Sequence, residues 1–386
     1  MQLLRWLSWT GYRLDTGASS HRGAGQSVLA DPQIGLSSQP KNFASWLQDP
    51  QTQLSVSTAP IPKCGSDDLI LKNHVVAVNP VDWKIQSTGG VGFDLEYPLI
   101  LGEDVAGEVL QVGSNLKDRF QVGDRVMAHT MGLGLGSAYG GFQLYPILTA
   151  ATTSKIPDGM SFRDAAVLPL SISTAAAGLF LNASLGLAYP PTGHKARETQ
   201  LPLDGPTLLV WGCSSSVGSS VIQLARAAGY QVITTASPSN HKYCETLGAS
   251  HVLDYHDADV ADHLIALLKG KKIVGAYDAI GSDVTVRQTA SILHALGGGK
   301  IASVGLAPDV FSDVIVSSIS SGAIVTDEPE VADEIWGKYV PWALESGELI
   351  PSPKALVVGK GLEDVQKGLD RQKEGVSARK VEVLLA

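Results

Sequence analysis

The chain has 386 residues, 44% of them hydrophobic and 17% charged, with a formal net charge of −9. That length accommodates two domains with their own cores, and the composition is ordinary for a globular protein. The acidic balance and the lack of a Lys/Arg run exclude a nucleic-acid surface, which needs clustered cations, and no apolar run reaches the ~18 residues of a membrane span.

Residues 1–41 open with "MQLLRWLSWTGYR", in which basic and apolar residues precede the first acid, Asp15, and continue as a Gly/Ser/Gln/Pro-rich stretch without periodicity. They read as a disordered extension or a targeting segment. A mitochondrial transit peptide is one form of the latter; otherwise a cytoplasmic location is expected. The three cysteines, Cys64, Cys213 and Cys244, are far apart and form no CxxC pair. No disulfide framework is expected, which suits a reducing compartment.

Order is expected from Asn42. "LSVSTAPIP", "DLILKNHVVAVNP", "VAGEVLQVG" and "GDRVMAHT" are β-rich runs punctuated by Gly and Pro, as in a β-barrel-like domain with irregular loops. The texture changes at "SFRDAAVLPLSISTAAAGLF", where Ala and Leu recur at helical spacing and Pro169 breaks the pattern. A long loop, Asn182 to Gly205, precedes the next strand and is placed to frame a cleft or to be a tolerated surface insertion.

From there strands and helices alternate. "PTLLVWG", "YQVITTAS", "SHVLDY", "AYDAIG" and "KIASVG" read as strands, with a helix in "SVGSSVIQLARAAG" and a short one in "SNHKYCETLG" stopped by Gly248. This is the pattern of a doubly wound parallel sheet that binds nucleotides. "VIVSSISSGAIVT" is either an edge strand that pairs subunits or a covered strand of a monomer. "KALVVG" and "KVEVLL" return to strands that rejoin the first domain. The expected division is 42–172, 173–335 and a return over 336–386.

"VWGCSSSVGSS" follows a strand and opens a helix, the place where backbone N–H groups and the helix dipole meet a pyrophosphate. Gly212 permits the tight turn, Gly218 permits close helix–sheet packing, Val217 lies between turn and helix, and Ser214, Ser215 and Ser216 are hydroxyl donors. The strict GxGxxG spelling is absent, so the flanking βαβ pattern carries the assignment. The end of the second strand selects between cofactors. An acid there binds the ribose 2′-hydroxyl of NAD; this chain has Ser237 and no acid until Glu245. With Lys242 nearby, that end suits the 2′-phosphate of NADPH. If Lys242 faces solvent, Ser237, Asn240 and Tyr255 are left as neutral donors.

"NHVVAVNPVDWKIQ", "YPLILGEDVAGEVLQVGSN", "VGDRV", "AAVLPLSISTAAAGLF", "LVWGCSSSVGSSVIQLA" and "TASPSNHKYCETLGAS", in this order, resemble the medium-chain dehydrogenase/reductase superfamily over Asn42 to Ala386. Within it they are similar to a zinc-free fungal branch related to quinone reductases and to trans-acting enoyl reductases of polyketide pathways. The resemblance implies a GroES-like β-barrel domain plus a Rossmann domain, with the active site in the cleft between them. Superfamily members with a catalytic zinc carry a Cys near the place of "NPVDWK" and a His in a "GHE" block. Here those places hold Asn79, Asp82 and Glu103, the four-cysteine loop of a structural zinc is absent, and His129 has no partner in sequence. No metal is expected.

Without a Lewis acid, reduction of an activated C=C is favoured over reduction of a simple ketone, because donors alone can stabilise an enolate oxygen. The resemblance implies Lys84 as that donor, Ser173 and Thr174 near the nicotinamide and its phosphate, and Val304 and Gly305 at a strand end beside the nicotinamide. It implies an enone, enoyl or quinone substrate and admits a polyketide synthase carrier domain as partner. Two rivals are a general quinone or carbonyl reductase and a non-enzymatic dinucleotide-binding protein.

Overall fold

The computed structural model describes residues 41–90, 93, 95–193 and 205–385. The expectations for the N-terminal extension and for the second half of the 182–205 loop lie outside these residues.

Eight strands form the first region: β1 Asn42–Leu47, β2 Ser55–Ala59, β3 Asp68–Val78, β4 Leu99–Ile100, β5 Asp104–Val112, β6 Arg125–His129, β7 Ile147–Thr149 and β8 Thr153–Lys155. The Rossmann region has β9 Thr207–Trp211, β10 Gln231–Thr235, β11 His251–Leu253, β12 Ile273–Asp278, β13 Gly299–Ser303 and β14 Val314–Ser318, and β15 Lys354–Lys360 and β16 Arg379–Leu384 follow. The helices that matter below are α1 Pro80–Thr88, α2 Phe162–Ala166, α3 Pro169–Phe180, α4 Ser216–Ala227, α5 His241–Leu247, α6 Val260–Leu268, α7 Asp283–Ala295, α8 Val340–Ser346 and α9 Val365–Lys373.

In the first region, β15-β16-β3-β5-β6-β8 form one sheet with β7 also on β3, and β2-β1-β4 form a smaller one. β16 lies antiparallel to β3, pairing Val381 with Val78 and Leu384 with Val75, so the end of the chain completes the sheet begun near its start. β3 is nearly all buried because it is central and covered on both faces. Val76 and Val78 join one core, with Val381, Val383 and α9; Val75 and Ala77 join the other, with α2 and α3. That period-2 split is what a pleated strand between two layers requires.

The second sheet has the order β11-β10-β9-β12-β13-β14 among the described residues, with parallel pairing throughout. β9 is buried along its whole length. Leu208 and Val210 face the layer containing α3 and α4, while Leu209 and Trp211 face α6 and α7. The order reverses between β9 and β12, and the crevice at the carboxyl ends of those strands is where doubly wound sheets hold ligands. β14 is the sheet's edge, bonded to β13, with Ile315 61% exposed.

Pro169 sits at the first position of α3, where the missing N–H is harmless, so it starts that helix and separates it from α2. The described part of the 182–205 loop docks on its own domain: Asn182 bonds Glu328, and Ser317 donates to the Ala183 carbonyl. The expectation about the cysteines is overturned. Cys213, in the turn after β9, and Cys244, on α5, are joined in a disulfide although 31 residues apart. The fold brings them to a Cα–Cα distance of 6.1 Å by laying α5 beside the start of α4. A separation that long carries no motif, and with the pair formed the cysteines no longer argue for a reducing compartment.

Candidate functional site

The turn after β9 is built so that backbone occupies the place of side chains. Gly212 has φ +89°, and a Cβ there would strike Ile280. A Cβ on Gly218 would strike the Gly212 carbonyl. The Gly212 N–H is held by Thr235 Oγ1 at 3.1 Å, and Cys213 N donates to the Thr235 carbonyl. Ser215 is the N-cap of α4: its Oγ accepts from Gly218 N at 3.0 Å and donates to the Gly212 carbonyl. Its hydroxyl therefore builds the turn, while Ser214 lines the space above it. Ser216 and Val217 begin α4, and Val217 packs on the core.

That space is a cavity of about 350 Å³ bounded by Gly212, Ser214, Ser215, Ser237, Asn240 and Tyr255. Three cofactor residues expected at the end of β10 and after β11 are thus brought together. Lys242 is not. It is 86% exposed on α5 and pairs with Glu245 at 3.5 Å, because the turn at 238–240 aims Asn240 inward and the next turn of helix outward. The cavity wall at this end is neutral: Asn240 Nδ2 donates to Ser237 Oγ at 3.1 Å and to Ser377 Oγ at 3.0 Å. Ser377, Val376 and Thr285 also line it and were not anticipated. Val376 and Ser377 arrive from the segment before β16, some 137 positions from Asn240, and no local pattern marks them.

At the other strand ends, Gly305 passes so close to Gly281 that a Cβ on either would collide with the other's backbone. Gly305 N is fixed by Ser303 Oγ at 3.0 Å, and Val304 is half-buried beside it. Asp278, at the end of β12, accepts from Ile280 N, Gly281 N and Thr285 Oγ1, which shapes the same turn. A cleft with glycine backbone at each approach and a capped helix start beneath it fits a dinucleotide.

The residues expected near the nicotinamide are placed unevenly. Ser173 is fully buried, and its hydroxyl receives Trp336 Nε1 at 3.0 Å, so it serves the core. Thr174 is half-buried on α3, with its hydroxyl proton directed to the Leu170 carbonyl, which leaves the oxygen as an acceptor. Lys84 is exposed on α1; its Nζ lies 5.9 Å from the Trp83 ring and has no hydrogen-bond or ion-pair partner among the described residues.

Beneath α1 and α3 lies a sealed polar cluster. Asp104 Oδ2 binds Lys380 Nζ and Asn79 Nδ2, each at 2.6 Å, and Asp104 Oδ1 receives Leu170 N at the first turn of α3. Lys380 also donates to Asn79 Oδ1. Asp82 closes the first turn of α1, accepting from Asn79 N at 2.8 Å and Gly102 N at 3.0 Å; burial first, then the neighbouring Glu103, push its carboxyl up to about 8. Glu103 Oε2 faces His129 Nε2 at 3.2 Å. Burial raises the Glu103 carboxyl well above its usual range and lowers the His129 imidazole to about 4. The imidazole is therefore uncharged at neutral pH, and burial favours the protonated form of the Glu103 carboxyl that shares its hydrogen bond. Sequence reasoning left His129 without a partner; the partner is Glu103, across the β5–β6 pairing.

These donors do not fit zinc. Zinc takes four tetrahedral ligands, or three and a water, drawn from thiolate, imidazole and carboxylate. Glu103 and His129 are bonded to each other, and among the described residues no group of three or more His, Cys, Asp or Glu is arranged to hold a metal.

Fold and cleft together are those of a two-domain, nucleotide-binding protein. Residues 65–158 match the alcohol dehydrogenase GroES-like domain, and residues 216–343 match the zinc-binding dehydrogenase family. The dehydrogenase pigH of Monascus ruber is 39% identical over 377 residues, covering 90% of this chain and 100% of that protein. The trans-enoyl reductase himH of Aspergillus japonicus is 38% identical, covering 88% of this chain and 96% of that protein. Among solved structures, the CurK enoyl reductase superposes with a TM-score of 0.71 at 19% identity over 90% of this chain and 100% of that one, a likeness of fold. The chain belongs to the medium-chain dehydrogenase/reductase superfamily. It is an oxidoreductase of enoyl-reductase-like type with an NAD(P)-binding domain.

Proposed function

We propose that the protein is an NADPH-dependent, zinc-independent reductase of an activated C=C in an α,β-unsaturated carbonyl or enoyl substrate. The observation that carries this reading is the donor set: Glu103 and His129 are bonded to each other through Oε2 and Nε2, and no three His, Cys, Asp or Glu among the described residues are arranged to hold a metal. A carbonyl reductase without a Lewis acid lacks its main means of polarising C=O, whereas conjugate reduction develops charge on an oxygen that donors can reach. Two relatives named trans-enoyl reductase, 38% and 31% identical, support the same substrate class.

The bound dinucleotide supplies hydride. Lys84, unpartnered on α1, acts as the donor for the substrate oxygen on which negative charge develops. Thr174 on α3 and the Val304–Gly305 strand end would hold the nicotinamide end of the cofactor. The neutral wall of Ser237, Asn240, Tyr255 and Ser377 supports NADPH, since an aspartate or glutamate there would repel a 2′-phosphate. A polyketide synthase carrier domain is a candidate bearer of the substrate.

The test is NADPH oxidation against enals, quinones and polyketide-like enones, with elemental analysis of the purified protein. Turnover of enones or enoyl thioesters with less than about 0.1 zinc per chain is expected. One zinc per chain, with activity lost on chelation, refutes the metal-free reading. Turnover of quinones alone makes the protein a quinone reductase, and no turnover with any acceptor makes it a binding protein.

A further inference from the structure

A second cavity, of about 690 Å³, shares no lining residue with the dinucleotide cleft. It opens between α2, the 350–355 segment and the start of β16. Three cations line it: Arg163 on α2, Lys354 opening β15 and Arg379 opening β16. Lys354 and Arg379 are direct partners in the β15–β16 register. The strands run parallel, so these like charges are neighbours that repel, and neither side chain has a hydrogen-bond or ion-pair partner among the described residues.

Arg163 is no better compensated. Its ion-pair contact is with Glu382, 4.0 Å away and wholly buried. Burial pushes the Glu382 carboxyl up to about 9, so at neutral pH it is an uncharged acid, and neither of its oxygens has a hydrogen-bond partner. One carboxylate, Asp164, shares the lining and accepts from Ser161 Oγ at 2.6 Å, so three cations face one acid. A chain with a net charge of −9 thus gathers a surplus of positive charge at one cavity. The rest of the wall is apolar, with Met160, Val167, Leu344 and Ile350; Ile350 is 49% exposed to the opening.

We propose that this cavity binds an amphipathic organic anion, a single carboxylate or phosphate head on a short apolar body. Arg163, Lys354 and Arg379 take the head, and the wall of Met160, Val167, Leu344 and Ile350 takes the body. Guanidinium groups match the planar oxygens of either head in a two-point contact, and the volume lies in the range of small-molecule sites, ~300–1,000 Å³. The ligand is separate from the redox substrate, because neither the dinucleotide cleft nor Lys84 and Thr174 contribute to its lining.

The test is calorimetric titration of the full chain, with NADP+ in excess to fill the other cleft, using decanoate, decyl phosphate and decanol. Saturable binding of at least one anion is expected, at least about tenfold tighter than decanol. Whichever anion binds tighter assigns the head group. Lys354→Met and Arg379→Met should each weaken that anion roughly three- to tenfold, and Lys354→Glu should abolish binding. Retained NADP+ binding by each variant shows that it is folded. The proposal is overturned by no saturation with either anion, by decanol binding as tightly, or by unchanged affinity in all three variants.

Discussion

Two polar regions of the molecule use their groups in opposite ways. Around the dinucleotide cleft the polar atoms are neutral and partly open: Ser214, Ser237, Asn240 and Tyr255 line a cavity and still have capacity for a ligand. Beneath α1 and α3 the groups are charged or titratable and sealed from solvent, with Asp104 and Lys380 at 0% and 3% exposure and bonded to each other, while Glu103 Oε1 and His129 Nδ1 have no hydrogen-bond partner. The first arrangement faces a ligand; the second holds the fold. What it holds is the pair of helices that carry Lys84 and Thr174, since Asp104 receives Asn79 at the start of α1 and Leu170 at the start of α3. A site that needs its donors fixed can keep them on two helices whose starts are pinned from below.

The largest expected effect breaks the closed region. Lys380→Met leaves Asp104 a buried, uncompensated charge and should destabilise the protein by about 3–5 kcal/mol. Combining it with Asp104→Asn should cost less than the sum of the two single changes, as read by chemical denaturation. Additive losses would mean that the two residues do not act as a pair. Next, Lys84→Ala should lower kcat on the order of 10²-fold while leaving NADPH affinity nearly unchanged. Equal turnover with every accepted substrate returns Lys84 to an ordinary solvated lysine.

A smaller effect tests the open region. Wild type should prefer NADPH over NADH by about tenfold in kcat/KM, and Ser237→Asp should narrow or reverse that preference by placing a charge against the 2′-phosphate. Lys242→Ala should change the ratio by less than about twofold, because that side chain faces solvent. A preference that collapses in Lys242→Ala would show that the lysine swings inward when cofactor binds.

The smallest effect concerns pH. Glu382 holds its proton in the folded state up to about 9 but only to its ordinary value near 4.5 when unfolded. Between those values the folded state binds more protons, so this group's contribution to stability falls as pH rises. Glu382→Gln should therefore raise Tm by about 3 °C at pH 8 and flatten the decline between pH 6 and 9. A variant with the same slope as wild type would place the titrating group elsewhere, with Asp82 the first alternative.

What could be read in advance follows from how local the physics is. β9, the turn at Gly212 and α4 are contiguous, and a buried strand, a positive-φ glycine and an amphipathic helix each leave a short pattern. The parallel sheet followed from the alternation of such units. Ser173 was misplaced in role because its helix position is legible but the Trp336 indole that takes its hydroxyl is 163 residues away. The same holds for Cys213 with Cys244, for Glu103 with His129, and for Ser377 against Asn240. Each depends on a tertiary pairing that neither composition nor periodicity encodes. Lys242 failed for a finer reason: one helical turn decides between cleft and solvent, and element ends are uncertain by about that much.

The position of β16 bears on the order in which the protein can mature. Its strand lies between β3 and β15 and brings Lys380 to Asp104, so the region built from the earliest described residues lacks both a sheet neighbour and a counter-ion until the last residues have been synthesised. The Rossmann sheet, whose six strands lie between residues 207 and 318, has no such debt to the C-terminus. During translation the later half can therefore reach its native pairing first, with the earlier half waiting beside it in an open form.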